Sequence, residues 1–149
     1  MTNLPPDLRE NLGFLLLQAL KAMGKVANQF PPDDDLRLFH LAIMQYVAYF
    51  PATTQQAVSD DLQIDASDVT RHVKQLVSAK YLKRRRSSND GRALELELTD
   101  AGSAWLEKRH ERGLRMHPAF ASLLEPDEFT QLRTLLLKLI DNSATRQTR

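Results

Sequence analysis

Apolar residues recur at helical spacing through residues 8–30. This repeat predicts one long helix, with Asp7 and Glu10 as a capping box at its start and Pro31 at its end. Residues 36–50 form a second segment that is apolar on most of its sides. A helix of that kind is expected to lie at the centre of the core.

Two short amphipathic segments follow, at residues 54–62 and 67–79, with only a few residues between them. This spacing is typical of a helix-turn-helix, and we expect Thr54 and Asp65 to cap the two helices. The pattern directs an apolar set inward: Ala57, Val58, Leu62, Ile64, Val69, Val73 and Leu76. It leaves a polar set on the outer side of the second helix: Ser67, Asp68, Thr70, Arg71 and Lys74.

The hydrophobic period shortens to about two after the helix-turn-helix, because leucines alternate with other residues through 94–98. Together with residues 82–86 and the turn residues 87–91, this alternation predicts a β-hairpin with a basic tip.

Two more helices are expected after the hairpin. Thr99 is placed to cap the first of them, which we expect to be broken or bent at Pro118. The last helix begins at Pro126, and its tail, residues 142–149, is expected to fray. Glu125 stands where Ser or Thr would be the usual cap.

Composition narrows the class of protein. The chain has 149 residues, 42% hydrophobic and 26% charged, which suits one folded domain. It contains no cysteine, which excludes disulfides, thiolate metal sites, cysteine nucleophiles and thiol redox sensing. The N-terminus lacks the pattern of a signal peptide, and no uncharged apolar run reaches roughly 18 residues, so we expect a cytoplasmic protein.

The near-neutral net charge of +1 conceals a strong separation of charge. Residues 71–92 contain eight basic side chains and one acid, whereas residues 33–68 contain seven acids and one arginine. A basic helix followed by a basic hairpin suits the DNA backbone, because neutralised phosphates release counterions. The alternative is that the run 83–86 only protects an exposed edge strand with charge.

The residues around the hairpin carry a family resemblance. Residues 89–102, NDGRALELELTDAG, hold Asp90, Arg92, Leu98, Thr99 and Gly102 at the spacing D-x-R…L-T-x-x-G. Residues 54–76, TQQAVSDDLQIDASDVTRHVKQL, and residues 12–15, LGFL, add to the pattern. Over nearly its whole length the chain resembles the MarR (multiple antibiotic resistance regulator) family of winged-helix regulators.

This resemblance implies a fold class that is mainly α with a small β-hairpin wing. It implies a single domain, 1–149, with a winged helix-turn-helix lobe at 36–99 and dimerisation helices at 1–30 and 120–142. It also implies a homodimer whose two lobes grip successive major grooves of double-stranded DNA, with Arg92 in the minor groove and Asp90 positioning it. The DNA-binding residues are then expected to be Ser67, Asp68, Thr70, Arg71, Lys74, Arg84, Arg86, Asp90 and Arg92.

The resemblance further implies a small aromatic or phenolic effector, although the sequence assigns no pocket. We expect His40 and Trp105 to be packed core residues with hydrogen-bond partners rather than ligand contacts. The four histidines lack metal-ligand spacing, so neither a metal nor another cofactor is expected. Gln63 and Lys80 replace glycines that are usual in the family, so each is expected to hold a positive φ.

Two other classes of function are alternatives to a dimeric transcriptional repressor. An enzyme is disfavoured because the chain has no nucleophile elbow, phosphate-binding glycine loop or metal motif. A winged helix used as a protein-interaction module is the second alternative. Basic residues concentrated on the helix and hairpin argue against it, because lysine is depleted at the core of protein interfaces.

Overall fold

The computed structural model describes residues 4–31, 34, 36–87 and 94–147, with side chains described up to residue 143. Over these ranges the fold is mainly helical with a small three-stranded antiparallel sheet, which confirms the predicted fold class. The elements, in chain order, are α1 (Pro6–Glu10), α2 (Leu12–Ala27), α3 (Leu38–Tyr49), β1 (Thr53–Thr54), α4 (Gln55–Leu62), α5 (Ala66–Ser78), β2 (Leu82–Arg86), β3 (Leu94–Leu98), α6 (Asp100–Ala121) and α7 (Pro126–Gln147).

The chain divides into two compact units. One unit comprises Met1–Pro31 and Gly113–Arg149, and the other comprises Pro32–Arg112. The second unit contains the helix-turn-helix, the sheet and the hydrophobic core. No helix within the described ranges combines the length and the apolar character needed to span a bilayer.

The predicted long first helix is instead two helices. Asn11 has an extended backbone and accepts a hydrogen bond from the backbone N–H of Phe14 at 2.8 Å, so it ends α1 and caps α2. The predicted capping box at Asp7 was wrong, because α1 begins after Pro5 with no side-chain cap. α2 also ends at Ala27, before Pro31 is reached.

The core of the second unit forms around α3, as its apolar sequence predicted. Ile43 and Met44 are fully buried, and Val47 is almost fully buried. The remaining members of this cluster come from the helix-turn-helix, the sheet and α6: Val58, Ile64, Val69, Val73, Leu76, Leu82, Leu96 and Trp105.

The helix-turn-helix is formed by α4 and α5. Thr54 caps α4 by accepting from the backbone N–H of Ala57 at 3.2 Å, as predicted. Asp65 is the N-cap residue of α5, but its side chain makes no capping hydrogen bond, so that prediction was wrong. Gln63 ends α4 with φ of 52° and Lys80 follows α5 with φ of 63°, which confirms the left-handed backbone expected at both positions.

The sheet has the strand order β1-β3-β2. β2 and β3 form the predicted hairpin, with Leu82 opposite Leu98 and Arg86 opposite Leu94. β1 was not predicted. It pairs Thr53 with Leu96, so β3 is the central strand.

α6 and α7 are longer and more regular than predicted. Pro118 lies inside α6, which continues to Ala121 without a break. Proline there removes one hydrogen bond to the carbonyl of Leu114, and both residues are exposed, so water can satisfy that oxygen. α7 begins at Pro126 as predicted but extends to Gln147, through most of the segment expected to fray.

Candidate nucleic-acid interface

α5 presents one polar face and one apolar face. The outer face consists of Ser67, Thr70, Arg71 and Lys74, which are exposed, and Asp68, which is half-buried. On the opposite side Val69, Val73 and Leu76 are fully buried. The structure therefore brings together all five residues that the sequence predicted for the outer face.

Two of these residues interact with each other. Arg71 donates to Asp68 Oδ1 at 2.5 Å, and both side chains are about half exposed. The hydrogen bond from Arg71, and then its charge, lower the pKa of Asp68 against the opposing effect of burial. Asp68 thus holds the Arg71 guanidinium along the helix.

Thr70 is oriented by its own helix. Its Oγ1 donates to the carbonyl of Ala66 at 2.8 Å. The hydroxyl proton is therefore engaged, and the oxygen remains available as an acceptor.

Successive side chains of β2 point to opposite faces of the sheet, so the basic residues 83–86 fall into two pairs on different faces. Lys83 lies opposite Glu97 and Arg85 opposite Glu95. Lys83 forms an ion pair with Glu97 at 3.0 Å, while Arg85 reaches Glu97 at 2.6 Å and Glu95 at 3.3 Å. Lys83, and with it Arg85, lowers the pKa of Glu97. The charge of this face is therefore largely balanced within the hairpin.

Arg84 and Arg86 occupy the other face of the same strand. They lie opposite Leu96 and Leu94, are exposed, and form no ion pair or side-chain hydrogen bond with any described residue. Asp90 and Arg92 fall within 88–93, outside the described residues, so their predicted roles stay predictions.

Thr99 fastens the base of the hairpin. Its Oγ1 donates to the carbonyl of Lys80 at 2.6 Å and accepts from the backbone N–H of Gly102 at 3.0 Å, which confirms its predicted capping role. The backbone N–H of Thr99 also donates to the carbonyl of Tyr81 at 3.1 Å. Thr99, the threonine of the L-T-x-x-G signature, thus has a structural role in connecting the hairpin to the start of α6.

A pair of buried histidines lies beneath the outer face of α5. His40 of α3 and His72 of α5 are only 4% and 6% exposed, and His40 Nε2 lies 3.1 Å from His72 Nδ1. The sequence predicted that His40 would be a satisfied core residue, and the structure confirms this. It did not reveal the contact with His72, because the two residues are far apart in the chain and belong to different helices.

Trp105 is likewise a packed core residue, as predicted. Its Nε1 donates to Asp34 Oδ2 at 2.5 Å, and Arg109 donates to Asp34 Oδ1 and to the carbonyl of Leu36. Burial alone would raise the pKa of Asp34, but the hydrogen bonds from Trp105 and the backbone of Leu36, with the charge of Arg109, lower it. This cluster anchors the segment before α3 to α6.

Comparison with known proteins identifies the lobe. Residues 35–93 match the model of a MarR family. The chain is 30% identical over 102 residues to the HTH-type transcriptional regulator BilQ of Clostridium symbiosum, covering 66% of this chain and 71% of that protein. The chain belongs to the MarR family of transcriptional regulators.

Solved structures of two DNA-binding proteins share the fold. A mutant of MarR from Escherichia coli, complexed with operator DNA, is 25% identical with a TM-score of 0.77, covering 86% of this chain and 92% of that one. The second structure is BpsR of Bordetella bronchiseptica, whose DNA binding is regulated by 6-hydroxynicotinic acid. It is 23% identical to this chain with a TM-score of 0.80, and the match covers 89% of this chain and 94% of BpsR. The MarR-family relatives of this chain are transcriptional regulators rather than enzymes.

Proposed function

We propose that this protein is a homodimeric, sequence-specific repressor that binds double-stranded DNA in the cytoplasm and is released by a small aromatic acid. The observation that carries the proposal is the unpaired state of Arg84 and Arg86 among the described residues, beside a helix-turn-helix with an exposed polar face. Arginines without an acidic partner are available to phosphates. The E. coli MarR structure with operator DNA supports the same use of the fold.

In this proposal the outer face of α5 enters the major groove. Arg71 reads a base edge, and Thr70 accepts or packs beside it. Ser67 and Lys74 contact neighbouring bases or phosphates, while the Asp68 carboxylate can face only base edges. Arg92 enters the minor groove, with Asp90 holding its guanidinium extended.

The homodimer is supported by apolar surface on helices of the first unit. α2 has no buried residue even though it is rich in apolar side chains. Four of these are 48–64% exposed: Leu12, Leu17, Leu20 and Met23. α7 similarly exposes Phe129, Leu132, Leu135, Leu137, Leu139 and Ile140 at 41–55%. Apolar helices of this length require a partner, and a second copy supplies one through a symmetric contact. Sedimentation at micromolar concentration should give about twice 17.0 kDa, whereas an intact monomer that binds DNA would contradict the dimer.

The effector class is supported by the BpsR comparison, in which the regulating molecule is a hydroxylated aromatic acid. Such a ligand releases DNA only if it binds better to a conformation whose recognition helices no longer match the groove spacing. Because the chain has no cysteine, peroxide cannot act through a thiol of this protein. Disruption of the purified complex by peroxide, with recovery on addition of a reductant, would contradict control by a reversible ligand alone.

The decisive experiment compares two double variants of the same strand. Affinity for duplex DNA is measured at several salt concentrations for wild type, for Arg84→Ala with Arg86→Ala, and for Lys83→Ala with Arg85→Ala. Both variants remove two positive charges. We expect the first to weaken binding strongly and to reduce the salt slope by about two, the value for two lost phosphate contacts, with a smaller change for the second.

The alternative function gives a different result. A protein-interaction module would bind duplex DNA without steep salt dependence in any of the three proteins. Equal losses in the two double variants would show that only total charge matters and would remove the assigned role of Arg84 and Arg86.

A further inference from the structure

The two buried histidines connect the recognition helix to the core. His40 and His72 meet edge to face, with ring centroids 4.5 Å apart and an interplanar angle of 84°. His72 lies between Arg71 and Val73, next to the outer face of α5. The position of α5 against α3 therefore depends in part on this contact.

The hydrogen bonds of His40 determine where its proton lies. The backbone N–H of Arg37 donates to His40 Nδ1 at 2.9 Å, so Nδ1 carries no hydrogen. In neutral His40 the proton is therefore on Nε2, which lies 2.8 Å from Gln75 Oε1 and 3.1 Å from His72 Nδ1. One N–H thus faces two acceptors on α5, and neutral His72 carries its own proton on Nε2.

Neither ring can accept a second proton without losing a hydrogen bond. A proton added to His40 must occupy Nδ1, where it opposes the backbone N–H of Arg37. A proton added to His72 must occupy Nδ1, where it opposes the N–H of His40. The hydrogen bonds of His40 to the backbone of Arg37 and to His72 are both kept only while both imidazoles are neutral.

The surrounding charges favour the neutral state of His72. Burial, then the nearby His40 and the cation of Arg71, lowers the pKa of His72, against smaller opposing effects of Gln75 and Asp68. The charged and titratable groups that shift the pKa of this ring lie on α3 (His40) and on α5 itself (Arg71 and Asp68), not on the described parts of α4 and β2, which also pack on α5.

We propose that the neutral His40–His72 pair positions the recognition helix for DNA, so that proton uptake by the pair in mild acid lowers DNA affinity. This inference rests on the proposed DNA-binding function. The proposal predicts that DNA affinity falls as the histidines gain positive charge. Simple electrostatics predicts the opposite, because added positive charge should strengthen binding to phosphates.

The test is a pH profile of DNA affinity at constant salt, using a duplex that the wild-type protein selects from a random pool at about pH 7.5. In wild type we expect affinity to fall in acid, approaching about tenfold per pH unit for each lobe whose pair must release one proton. His72→Asn keeps an acceptor near the Nδ1 position but does not titrate, so its profile should be flatter. His110→Gln, which removes an exposed histidine of α6, should retain the wild-type profile.

An NMR titration of the imidazole protons supplies a readout that does not involve DNA. The His72 resonances should titrate below the ordinary histidine range in wild type and move toward it in His40→Gln, which also serves if His72→Asn does not fold. Unchanged or tighter DNA binding in acid would overturn the positioning role while leaving the proposed function intact. Failure to select any duplex from the random pool would overturn the proposed function itself. A His72 titration within the ordinary histidine range would overturn the neutral pair, regardless of how DNA affinity depends on pH.

Discussion

Gly102 lies against the backbone of Tyr81 so closely that a Cβ atom at position 102 would be 2.2 Å from the Tyr81 carbonyl oxygen. Because that oxygen also accepts from the backbone N–H of Thr99, it cannot easily move away. We expect Gly102→Ala to lower the free energy of unfolding by about 1–3 kcal/mol, the usual range for overpacking. Urea unfolding followed by circular dichroism measures this change.

Gly113 of the same helix is the matched control. A Cβ atom there would have no neighbour within 4 Å, so Gly113→Ala should raise the free energy of unfolding by about 1 kcal/mol through helix propensity. Equal effects of the two alanines would show that the close approach at Tyr81 has no energetic consequence.

A second prediction concerns the left-handed residue after α5. Lys80 has φ of 63°, a conformation that costs an L-residue roughly 1–2 kcal/mol and glycine much less. We expect Lys80→Gly to stabilise the fold by about 1 kcal/mol in thermal or urea unfolding. Ala79→Gly is the control, since Ala79 has φ of −75° and the change should destabilise the fold. Destabilisation by both glycines would contradict the assignment of strain to Lys80.

A third prediction concerns acid sensitivity at Asp34. Its folded-state pKa lies below the ordinary value, so its contribution to stability is present above about pH 4 and is lost as the pH falls through the folded pKa. Asp34→Ala should cost about 1–3 kcal/mol, because it removes the acceptor of Trp105 Nε1 and the carboxylate partner of Arg109, which keeps its hydrogen bond to the carbonyl of Leu36. Trp105 is the only tryptophan, so its fluorescence reports directly on the site.

The pH dependence separates this effect from general acid unfolding. The stability difference between wild type and Asp34→Ala should shrink below about pH 4 and stay constant from there to neutrality. A difference that grows in acid would have the wrong sign for a carboxylate with a lowered pKa.

A fourth prediction concerns the ion pair on the recognition helix. Arg71→Ala should weaken binding to the selected duplex by about 1–3 kcal/mol and relax one position of the site if Arg71 reads a base. Asp68→Asn should tighten binding to random duplex, because it removes a negative charge and releases Arg71 from its partner. Competition binding with the selected duplex and with random duplex measures the affinity changes of both variants. Uniform loss across all sequences in Arg71→Ala would instead identify a phosphate contact.

The parts of the fold that the sequence predicted are those with strong local periodicity. The alternation of Leu94, Leu96 and Leu98 defined the hairpin, and the apolar spacing of Val69, Val73 and Leu76 separated the two faces of α5. Such patterns generally follow from burial on one side of an element, so they can be recognised without knowledge of the tertiary contacts. The burial of β3 is less regular than its sequence, since Leu94 is exposed and Glu95 is buried.

The features that the sequence did not predict arise where two local structures compete for the same residues, or where the interacting residues are far apart in the chain. At Asn11 the helical apolar pattern continues, but the amide side chain offers the backbone an alternative hydrogen bond and starts a new helix. β1 has two residues, too few to show a period. Asp65 has the right residue type for a cap but does not use it, and the partner of His40 comes from another helix.

The hydrogen bonds at Thr99 have a mechanical consequence. They tie the segment between α5 and β2, at Lys80 and Tyr81, to the first turn of α6, at Gly102. A displacement of the first turn of α6 would therefore pull on the segment that links the recognition helix to the hairpin.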